Sequence, residues 1–457
     1  MLRRVQMELS GWGRYPRVLS TVVRPASLAD VAPPAEGYMI ARGQGRAYGN
    51  AAMSKDGLVL LTEQLKRVIH FDERSGILTA EAGVTLAEIL GEFVPRGWFP
   101  MVTPGTKFVS LGGCAAADVH GKNHHRAGTF GAHVAELELV LADGGRQRCS
   151  PEKNAELFWA TIGGMGLTGI ITEVAFQLRR IESAYMIVQH HRAADLDASL
   201  KLLEAEDCDD EYTVAWIDCL ARGRKLGRSV LMRGHHATRA EMPAGIRERP
   251  LETKRRGEYN LAFDFPAWAL NALTVKLFND FYYKWQSAKV SAFVTDYGSF
   301  FYPLDRLGNW NRLYGRRGFM QYQCVLPMKT ARGGLQLLLE ALAQNGRASF
   351  LAVLKRFGAE GKGLLSFPMA GYTLALDMPL GDPKLYGFLE QLDEIVLAHG
   401  GRIYLAKNPR VGAQTFRRMY PRYAEWLETK SRLDVNDCWR SDLSRELEIS
   451  AARVSKA

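Results

Sequence analysis

Three separated runs of small residues constrain the fold of this chain more than any other feature of its sequence. The first is Ala41 to Asn50, which follows the short apolar run Tyr38 to Ile40. Its glycines, Gly43, Gly45 and Gly49, take positive φ without steric cost, so backbone N–H groups there can curl around an anion. The first run therefore predicts a phosphate-binding loop.

The other two runs add further tight backbone sites. Thr103 to His125 contains Pro104-Gly105-Thr106 and Leu111-Gly112-Gly113, and Gly163 to Gly169 is the third run. One glycine loop is weak support for a nucleotide site, because an ordinary strand-to-loop turn has a similar composition and the first run does not match the P-loop pattern. Three such runs together predict main chain packed along one long, flat ligand.

Two residue strings beside these runs carry a family resemblance. They are HGKNHH at His120 to His125 and ELFWAT at Glu156 to Thr161. Over nearly its whole length the chain resembles the vanillyl-alcohol-oxidase-type flavoproteins, and within them the decaprenylphosphoryl-β-D-ribose 2′-oxidase family. The resemblance implies a two-part FAD-binding domain of the PCMH type and a substrate domain built on an antiparallel sheet with flanking helices.

The local patterns also indicate an α+β fold, because strands and short helices alternate without the regular spacing of a parallel sheet. Thr85 and Glu88 predict a helix with a capping box. Asp143-Gly144-Gly145 marks a hairpin, and Ser150-Pro151 is typical of a helix start. Strands of one antiparallel sheet are expected over 318–327, 349–357 and 371–379, and a further short strand over 402–407.

The length of 457 residues allows two or three domains, and we divide the chain into three stretches. Residues 1–180 are expected to form the first part of the FAD-binding domain, and 181–400 the substrate-binding domain. Residues 401–457 are expected to return to the FAD-binding domain. A mobile basic and aromatic insertion is expected over about 220–290.

The predicted insertion joins a basic run to an aromatic run. Its basic residues are Arg222, Arg224, Lys225, Arg228, Arg233, Arg239, Arg247, Arg249, Lys254, Arg255 and Arg256. The stretch Tyr259 to Trp285 that follows is rich in Phe, Tyr, Trp and Leu. This pattern suits the surface of an anionic membrane, and it suits equally well a solvated loop followed by an ordinary core helix.

The formal net charge of +10 favours an anionic partner. The six cysteines show no CxxC pair and no ligand-like spacing to histidine, which indicates a reduced compartment and no structural metal. We expect neither a signal peptide nor a membrane span, because residues 1–17 are polar and no apolar run reaches about 18 residues. A cytoplasmic or peripheral membrane location is therefore expected, with no nucleic acid as partner.

The resemblance assigns FAD to the three small-residue runs, as the hydride acceptor that oxidation of an alcohol carbon requires. The implied contacts are Ala41, Arg42, Gly43, Gln44, Gly45, Arg46, Ala47, Tyr48, Gly49, Asn50, Gly105, Ser110, Leu111, Gly112, Gly113, Ala117, Asp118, Val119, His120, Ile171 and Tyr404. Many relatives attach the flavin through a histidine at the position of Arg46. We therefore expect non-covalent FAD, with its pyrophosphate at Arg42 or Arg46.

For proton handling, the resemblance points to Lys407, with Tyr48 and His120 as secondary candidates. A lysine buried beside an electron-poor ring either has its pKa lowered enough to act as a base, or stays cationic and stabilises reduced flavin or a substrate oxygen. Both roles stay open. A further alternative also stays open, in which Lys407 is a solvated surface residue and His120 has only a structural role.

The resemblance also implies a set of substrate-binding residues: Trp216, Gln321, Gln323, Lys355, Phe357 and Thr373. Gln321 and Gln323 alternate along a strand and so share one face, where their amides suit sugar hydroxyls, while Lys355 suits a phosphate. Actinobacterial relatives carry an asparagine and a cysteine where this chain has Thr373 and Ala375. Covalent inhibitors directed at that cysteine are expected to fail here.

Together these assignments predict oxidation of the 2′-hydroxyl of a polyprenylphosphoryl-β-D-ribose to the 2′-keto sugar. This is the first half of an epimerisation to the arabinose lipid for cell-envelope glycan synthesis, and an NAD(P)H-dependent short-chain reductase is the expected partner for the second half. Two alternatives stay open. One is a soluble alditol or aldonolactone oxidase of the same fold, and the other is a basic membrane or nucleic-acid binder whose flavin site is vestigial.

Overall fold

The computed structural model describes residues 2–205, 210–253, 257, 259–266, 271–286, 291–347, 349–407 and 410–449. Within these ranges the chain forms three large sheets and one pair of two-residue strands. Helices pack against the sheets, and most strand pairs are antiparallel. The predicted α+β fold is confirmed.

The first sheet presents the first small-residue run. Its strands are β1 (Val5–Ser10), β2 (Arg17–Val23), β3 (Met39–Arg42) and β4 (Leu58–Leu61), in the order β1-β2-β4-β3. β3 and β4 are parallel, and Ile40 and Val59 are buried in the core between the sheets. β3 ends at Arg42, so the glycine loop begins at the edge of this sheet.

The second sheet carries the other two runs on its helices and loops. Its strands are β5 (Val68–Asp72), β6 (Ile77–Glu81), β7 (Trp98–Pro100), β8 (Val134–Val140), β9 (Arg146–Cys149) and β10 (Ile170–Arg180). The accompanying helices are α1 (Leu86–Phe93), α2 (Leu111–Ala116), α3 (His124–Ala127) and α4 (Ala155–Thr161). The capping box of α1 is confirmed, with Thr85 Oγ1 accepting from the Glu88 N–H at 3.2 Å. The hairpin between β8 and β9 is also confirmed, with Gly144 at φ +83.

The predicted helix start at Ser150-Pro151 is wrong. The Ser150 hydroxyl accepts the N–H groups of Glu152 (3.2 Å) and Lys153 (3.0 Å), so it closes a turn. Such local bonds from serine to the backbone compete with helix formation. α4 begins at Ala155, after Asn154 in the left-handed conformation.

The third sheet has eight strands in the order β15-β11-β13-β12-β18-β19-β17-β20. The strands from here onward are β11 (Tyr185–Ala193), β12 (Tyr212–Ile217), β13 (Ser229–His236), β14 (Tyr259–Asn260), β15 (Phe293–Asp296), β16 (Leu307–Gly308), β17 (Phe319–Pro327), β18 (Ala352–Phe357), β19 (Gly371–Pro379) and β20 (Arg402–Ile403). The short β14 and β16 pair with each other. The three strands predicted for one antiparallel sheet are confirmed as β17, β18 and β19.

Nine helices accompany these strands within the described ranges. They are α5 (Leu196–Glu204), α6 (Ala244–Arg247), α7 (Ala272–Gln286), α8 (Tyr297–Phe301), α9 (Ala331–Gln344), α10 (Leu385–Ala398), α11 (Ala413–Met419), α12 (Tyr423–Leu433) and α13 (Asp442–Glu446). Of all the helices in the described ranges, none is both long enough and apolar enough to cross a membrane.

Part of the predicted insertion is core structure. β13 lies between β11 and β12, and both Arg228 and Arg233 are buried. Part of the basic run therefore lies in the sheet. Strand pairing places it there although its composition is typical of a solvated loop. Lys254, Arg255, Arg256 and Cys208 lie outside the described residues.

The C-terminal helices pack on the first two sheets. The Met39 N–H donates to the Cys438 carbonyl at 2.7 Å, and the Asp442 N–H donates to the Met53 carbonyl at 2.8 Å. Trp426 Nε1 donates to the carbonyl of Ala160 at 2.9 Å. These contacts place 410–449 beside the small-residue runs, while the three-way division of the chain stays a prediction.

Candidate active site

The first small-residue run leaves β3 as a loop with open backbone donors. Gly45 has φ +62, and the N–H groups of Gln44, Gly45 and Arg46 make no hydrogen bond with any described residue. A Cβ on Gly43 would lie 2.0 Å from Ser110 Oγ, so only glycine allows this approach. Consecutive unpaired N–H groups of this kind suit an anion.

The two arginines of the loop have different surroundings. Arg42 donates to the carbonyls of Ala52 (3.2 Å) and Ser10 (2.7 Å), and burial lowers its pKa to about 10. Its guanidinium therefore braces the loop from within the protein. Arg46 has its guanidinium carbon 3.9 Å from the centroid of the Trp12 ring, and its buried Nε makes no hydrogen bond with the described residues. Arg46 thus keeps a donor available for a ligand.

The three small-residue runs meet around α2. The Gly163 N–H donates to the Ala115 carbonyl at 3.0 Å, which joins the third run to the second. Ser110, the N-cap of α2, adjoins Gly43, which joins the second run to the first. A Cβ on Gly105 would meet no atom within 4 Å. The runs therefore form one surface of bare main chain, and this surface fits an extended dinucleotide.

Several predicted FAD residues use their side chains to hold this surface together. Tyr404 Oη donates to the Ala117 carbonyl at 2.8 Å. The buried Asp118 carboxylate accepts from Ser366 Oγ (2.5 Å) and from the Gly131 N–H (2.9 Å), while burial raises its pKa. Three other predicted FAD residues have apolar side chains that form no hydrogen bond and are buried or half-buried: Leu111, Val119 and Ile171. The FAD contacts of individual residues stay predictions.

The predicted substrate residues lie on one face of the third sheet. The paired positions are Lys355 with Thr373, Gln323 with Ala375, and Gln321 with Asp377. Gln323 Nε2 donates to Thr373 Oγ1 at 3.1 Å, and Gln321 Nε2 donates to Asp377 Oδ1 at 2.7 Å. Trp216 stands on β12, which pairs with β18. The expectation that Gln321 and Gln323 share a face is confirmed.

His120 links the second small-residue run to this sheet face. Its Nε2 lies 3.0 Å from Gln323 Nε2, and its Nδ1 lies 3.1 Å from Lys355 Nζ. The ring packs against Phe357 with the centroids 4.7 Å apart. Burial, followed by the charge of Lys355, holds the pKa of His120 well below its ordinary value. The imidazole is therefore neutral at physiological pH.

Lys407 lies where the third sheet meets the first loop. Its Nζ is 4.1 Å from the centroid of the Tyr48 ring, and the Tyr48 N–H donates to the Ala406 carbonyl at 2.9 Å. Burial lowers the pKa of Lys407 to about 8, against a smaller opposing effect of Asp377. The neutral amine is therefore populated near physiological pH.

The strand predicted over 402–407 is shorter than expected. β20 ends at Ile403, and the Lys407 N–H donates to the Tyr404 carbonyl at 3.0 Å in a turn. The turn takes the chain out of the sheet and toward Tyr48, whereas a longer strand would have kept Lys407 in the sheet.

Asp377 belongs to this site although its sequence context did not single it out. Its carboxylate has no exposed surface and accepts from Tyr314 Oη at 3.0 Å as well as from Gln321. Burial raises its pKa to about 7. The signal in the sequence is alternation, because Asp377 is four residues from Thr373 and shares its strand face.

Lys122, inside the HGKNHH string, is a second residue that sequence reasoning left unassigned. Its Nζ donates to the Phe300 carbonyl and lies 4.4 Å from the centroid of that ring. Burial, followed by the charge of Lys355, lowers its pKa to about 7. The pKa of Lys355 is also about 7, through burial and then the charge of Lys407. These three half-buried lysines lower one another's pKa in turn, and within the described part of the chain only Lys407 of the three has a carboxylate acting on it, so the group favours an anionic ligand.

Comparison with known proteins adds three findings. A family model described as an FAD binding domain matches residues 21–150. The chain is 35% identical over 452 residues to the decaprenylphosphoryl-beta-D-ribose oxidase of Mycolicibacterium smegmatis, covering 96% of this chain and 97% of that protein. It is 32% identical over 373 residues to an uncharacterized protein in the mprA 5′ region of Streptomyces coelicolor, covering 80% of this chain and 100% of that protein.

A more distant similarity covers a smaller part of the chain. A putative D-arabinono-1,4-lactone oxidase of Neurospora crassa is 27% identical over 171 residues, which is 36% of this chain and 30% of that protein.

Proposed function

Since the chain belongs to the decaprenylphosphoryl-β-D-ribose oxidase family and is an FAD-dependent oxidoreductase, we propose that it oxidises the 2′-hydroxyl of a polyprenylphosphoryl-β-D-ribose to the 2′-keto sugar. The observation that carries the proposal is the group of polar side chains where the first loop meets the third sheet. There Lys407, Lys355 and Lys122 are half-buried, and the buried amides of Gln321 and Gln323 stand on the same sheet face as Lys355. Lys407 suits an alcohol that must lose its proton, Lys355 and Lys122 suit a phosphate, and the two amides suit sugar hydroxyls.

The small-residue runs would hold the cofactor. When bound, FAD supplies the acceptor for the hydride. The open N–H groups of Gln44 and Gly45 and the buried Nε of Arg46 suit its pyrophosphate. Because an arginine occupies position 46, we expect the FAD to be released when the protein is denatured.

We assign the proton of the 2′-hydroxyl to Lys407. With its pKa lowered to about 8 by burial, its amine can accept this proton near physiological pH. The carboxylate of Asp377, held by Tyr314 and Gln321, then lies close enough to favour the ammonium that forms. Lys407 therefore acts as the base, with Asp377 as the residue that adjusts its pKa.

The remaining groups orient the lipid-linked sugar. The amides of Gln321 and Gln323 and the neutral imidazole of His120 provide donors and acceptors for ribose hydroxyls. Lys355 and Lys122 provide positive charge for the phosphate, and binding an anion would raise their lowered pKa values.

Two partners complete the proposal. The 2′-keto product needs a hydride donor to become the arabinose epimer, so an NAD(P)H-dependent short-chain reductase would act on it next. Because a polyprenyl chain keeps the substrate in a bilayer, we place the enzyme at an anionic membrane surface, which its net charge of +10 suits.

Anaerobic bleaching of the bound FAD tests this proposal. The holoprotein is mixed with farnesylphosphoryl-β-D-ribose, with its arabinose epimer and with free alditols, and flavin absorbance is followed. We expect bleaching by the phosphoryl ribose and no bleaching by alditols. Bleaching by alditols alone would instead select the soluble oxidase, whose lactone-oxidase relative shares similarity over 36% of this chain against 96% for the ribose oxidase. A protein that stays colourless with added FAD would exclude both.

A further inference from the structure

The helix α7 differs from an ordinary surface helix because it is apolar on its outer side as well as on its inner side. Its row Leu273, Leu277, Phe281 and Trp285 is exposed at 66%, 61%, 63% and 52%. The side turned toward the protein includes the buried polar residues Asn279 and Gln286. A surface helix normally turns its apolar stripe inward, so an outward stripe of this size marks a contact with another apolar phase.

Specific contacts fix the inner side of α7 to the third sheet. The ring of Tyr282 packs on Trp216 with the centroids 4.9 Å apart, and Phe278 packs on Phe350 at the same distance. Asn279 Nδ2 donates to the buried Asp218 at 2.7 Å. The stripe is therefore held outward by a well-anchored helix.

An ion-pair cluster adds to this anchoring. Arg228 donates to Asp218 at 2.6 Å and to Asp280 of α7 at 2.5 Å. α7 carries two exposed lysines, Lys276 and Lys284, against the single carboxylate of Asp280, so the charge beside the stripe is positive on balance. A positive rim around an apolar stripe matches anionic lipid headgroups above acyl chains.

We propose that α7 lies in the surface of an anionic bilayer, with the stripe Leu273, Leu277, Phe281 and Trp285 among the acyl chains. This inference rests on the proposed function, since it is the lipid-linked substrate that makes a bilayer the occupant. α7 touches the bilayer with one side and packs Tyr282 on Trp216, a predicted substrate residue, with the other. A polyprenyl chain could then stay in the membrane while its sugar reaches the sheet face.

Vesicle flotation of the holoprotein tests this inference. Vesicles of phosphatidylglycerol and phosphatidylcholine are expected to carry the wild-type protein, and vesicles of phosphatidylcholine alone to carry less. The Leu277→Ser/Phe281→Ser variant should bind the anionic vesicles at least about tenfold more weakly, because both side chains lose their burial in lipid. The matched control is Leu337→Ser, which changes a leucine that is 45% exposed on α9.

Two further measurements identify the occupant and separate this inference from the proposed function. Brominated lipids should quench tryptophan fluorescence in the wild-type protein and less in Trp285→Phe. Bleaching of FAD by a water-soluble short-chain phosphoryl ribose should be unchanged in the double variant, because that substrate needs no membrane. Failure of this bleaching in the wild-type protein with vesicle binding intact would overturn the proposed function alone.

Equal flotation of the double variant and the wild-type protein would overturn the membrane assignment. So would a wild-type protein that does not float, or a dimer in size-exclusion chromatography that the double variant breaks without any change in flotation.

Discussion

Lys430 is fully buried and Lys407 is half-buried, and the surroundings of the two lysines are opposite. Lys430 Nζ donates to Asp434, to Asp437 Oδ1 at 3.1 Å and to the Trp439 carbonyl at 3.2 Å. Lys407 forms no ion pair with the described residues, and its Nζ lies over the Tyr48 ring. An ammonium has three donors, so the first lysine is satisfied by the protein and the second is not.

This difference separates a structural charge from a reactive one. Around Lys430 the acceptors hold the C-terminal segment together beside β3. Around Lys407 burial without acceptors lowers the pKa to about 8 and leaves the amine available for a substrate. The same residue type therefore serves stability in one region and chemistry in the other, according to the number of its acceptors.

The largest effect is expected from removing Lys407. Lys407→Met should keep the FAD spectrum and slow reduction of the flavin by phosphoryl ribose about 10²- to 10⁴-fold, because the base is lost. Anaerobic stopped-flow absorbance measures this rate. If the variant reduced its flavin at the wild-type rate, Lys407 would have no part in the chemistry.

Removing Lys430 should instead lower stability. Lys430→Met leaves the buried carboxylate of Asp434 without its cation, which should reduce the free energy of unfolding by about 3–5 kcal/mol. Urea denaturation measures this loss, and the rate of flavin reduction in the folded variant should be unchanged. If the free energy of unfolding did not change, Lys430 would not be a stabilising charge, and its contrast with Lys407 would be wrong.

Lys355 is a third lysine for comparison, with a lowered pKa, and Lys355→Met should affect substrate binding more than the chemical step. We expect KM for the phosphoryl ribose to rise about 10- to 100-fold with little change in kcat, because one cation of the phosphate site is lost. Stability should be unchanged or higher, since the pKa of about 7 means that charging this lysine opposes folding. Lys329→Met, at an exposed lysine, is the control. A fall in kcat at constant KM would point to a role in the chemistry.

Asp377→Asn should give the smallest effect. The carboxylate raises the pKa of Lys407, so its removal should lower that pKa further below about 8. The rise of the flavin-reduction rate with pH should then move to lower pH by up to about one unit. A pH profile that stays in place would show that the two groups are not coupled.

Local features of the fold could be predicted from the sequence. The capping box of Thr85 and Glu88 and the turn at Gly144 depend on neighbours in the chain, and both are confirmed. The alternation of Gln321 and Gln323 likewise predicted a shared face. Ser150 shows the limit, because its hydroxyl can cap a helix or close a turn and only the following backbone decides which.

Residues placed by distant pairing could not be predicted in this way. Lys122 joins the site because its carbonyl accepts from the Thr213 N–H, and Asp377 because β19 pairs with β17. The pattern of α7 was compatible with a core helix, since apolar residues occur on several of its sides and packing decides which are buried. Arg228 looked solvated in a basic run, yet it is paired inside the protein with Asp218.

The most direct test of this account is the pH dependence of flavin reduction between about pH 6 and pH 10, measured anaerobically with farnesylphosphoryl-β-D-ribose at saturation. The titratable groups near Lys407 are Asp377, His120, Lys355 and Tyr48. If the neutral amine of Lys407 is the base, the rate should rise with pH to a plateau with a midpoint near its pKa of about 8. A rate that falls through the same range would contradict the assignment and would mean that the ammonium is the active form.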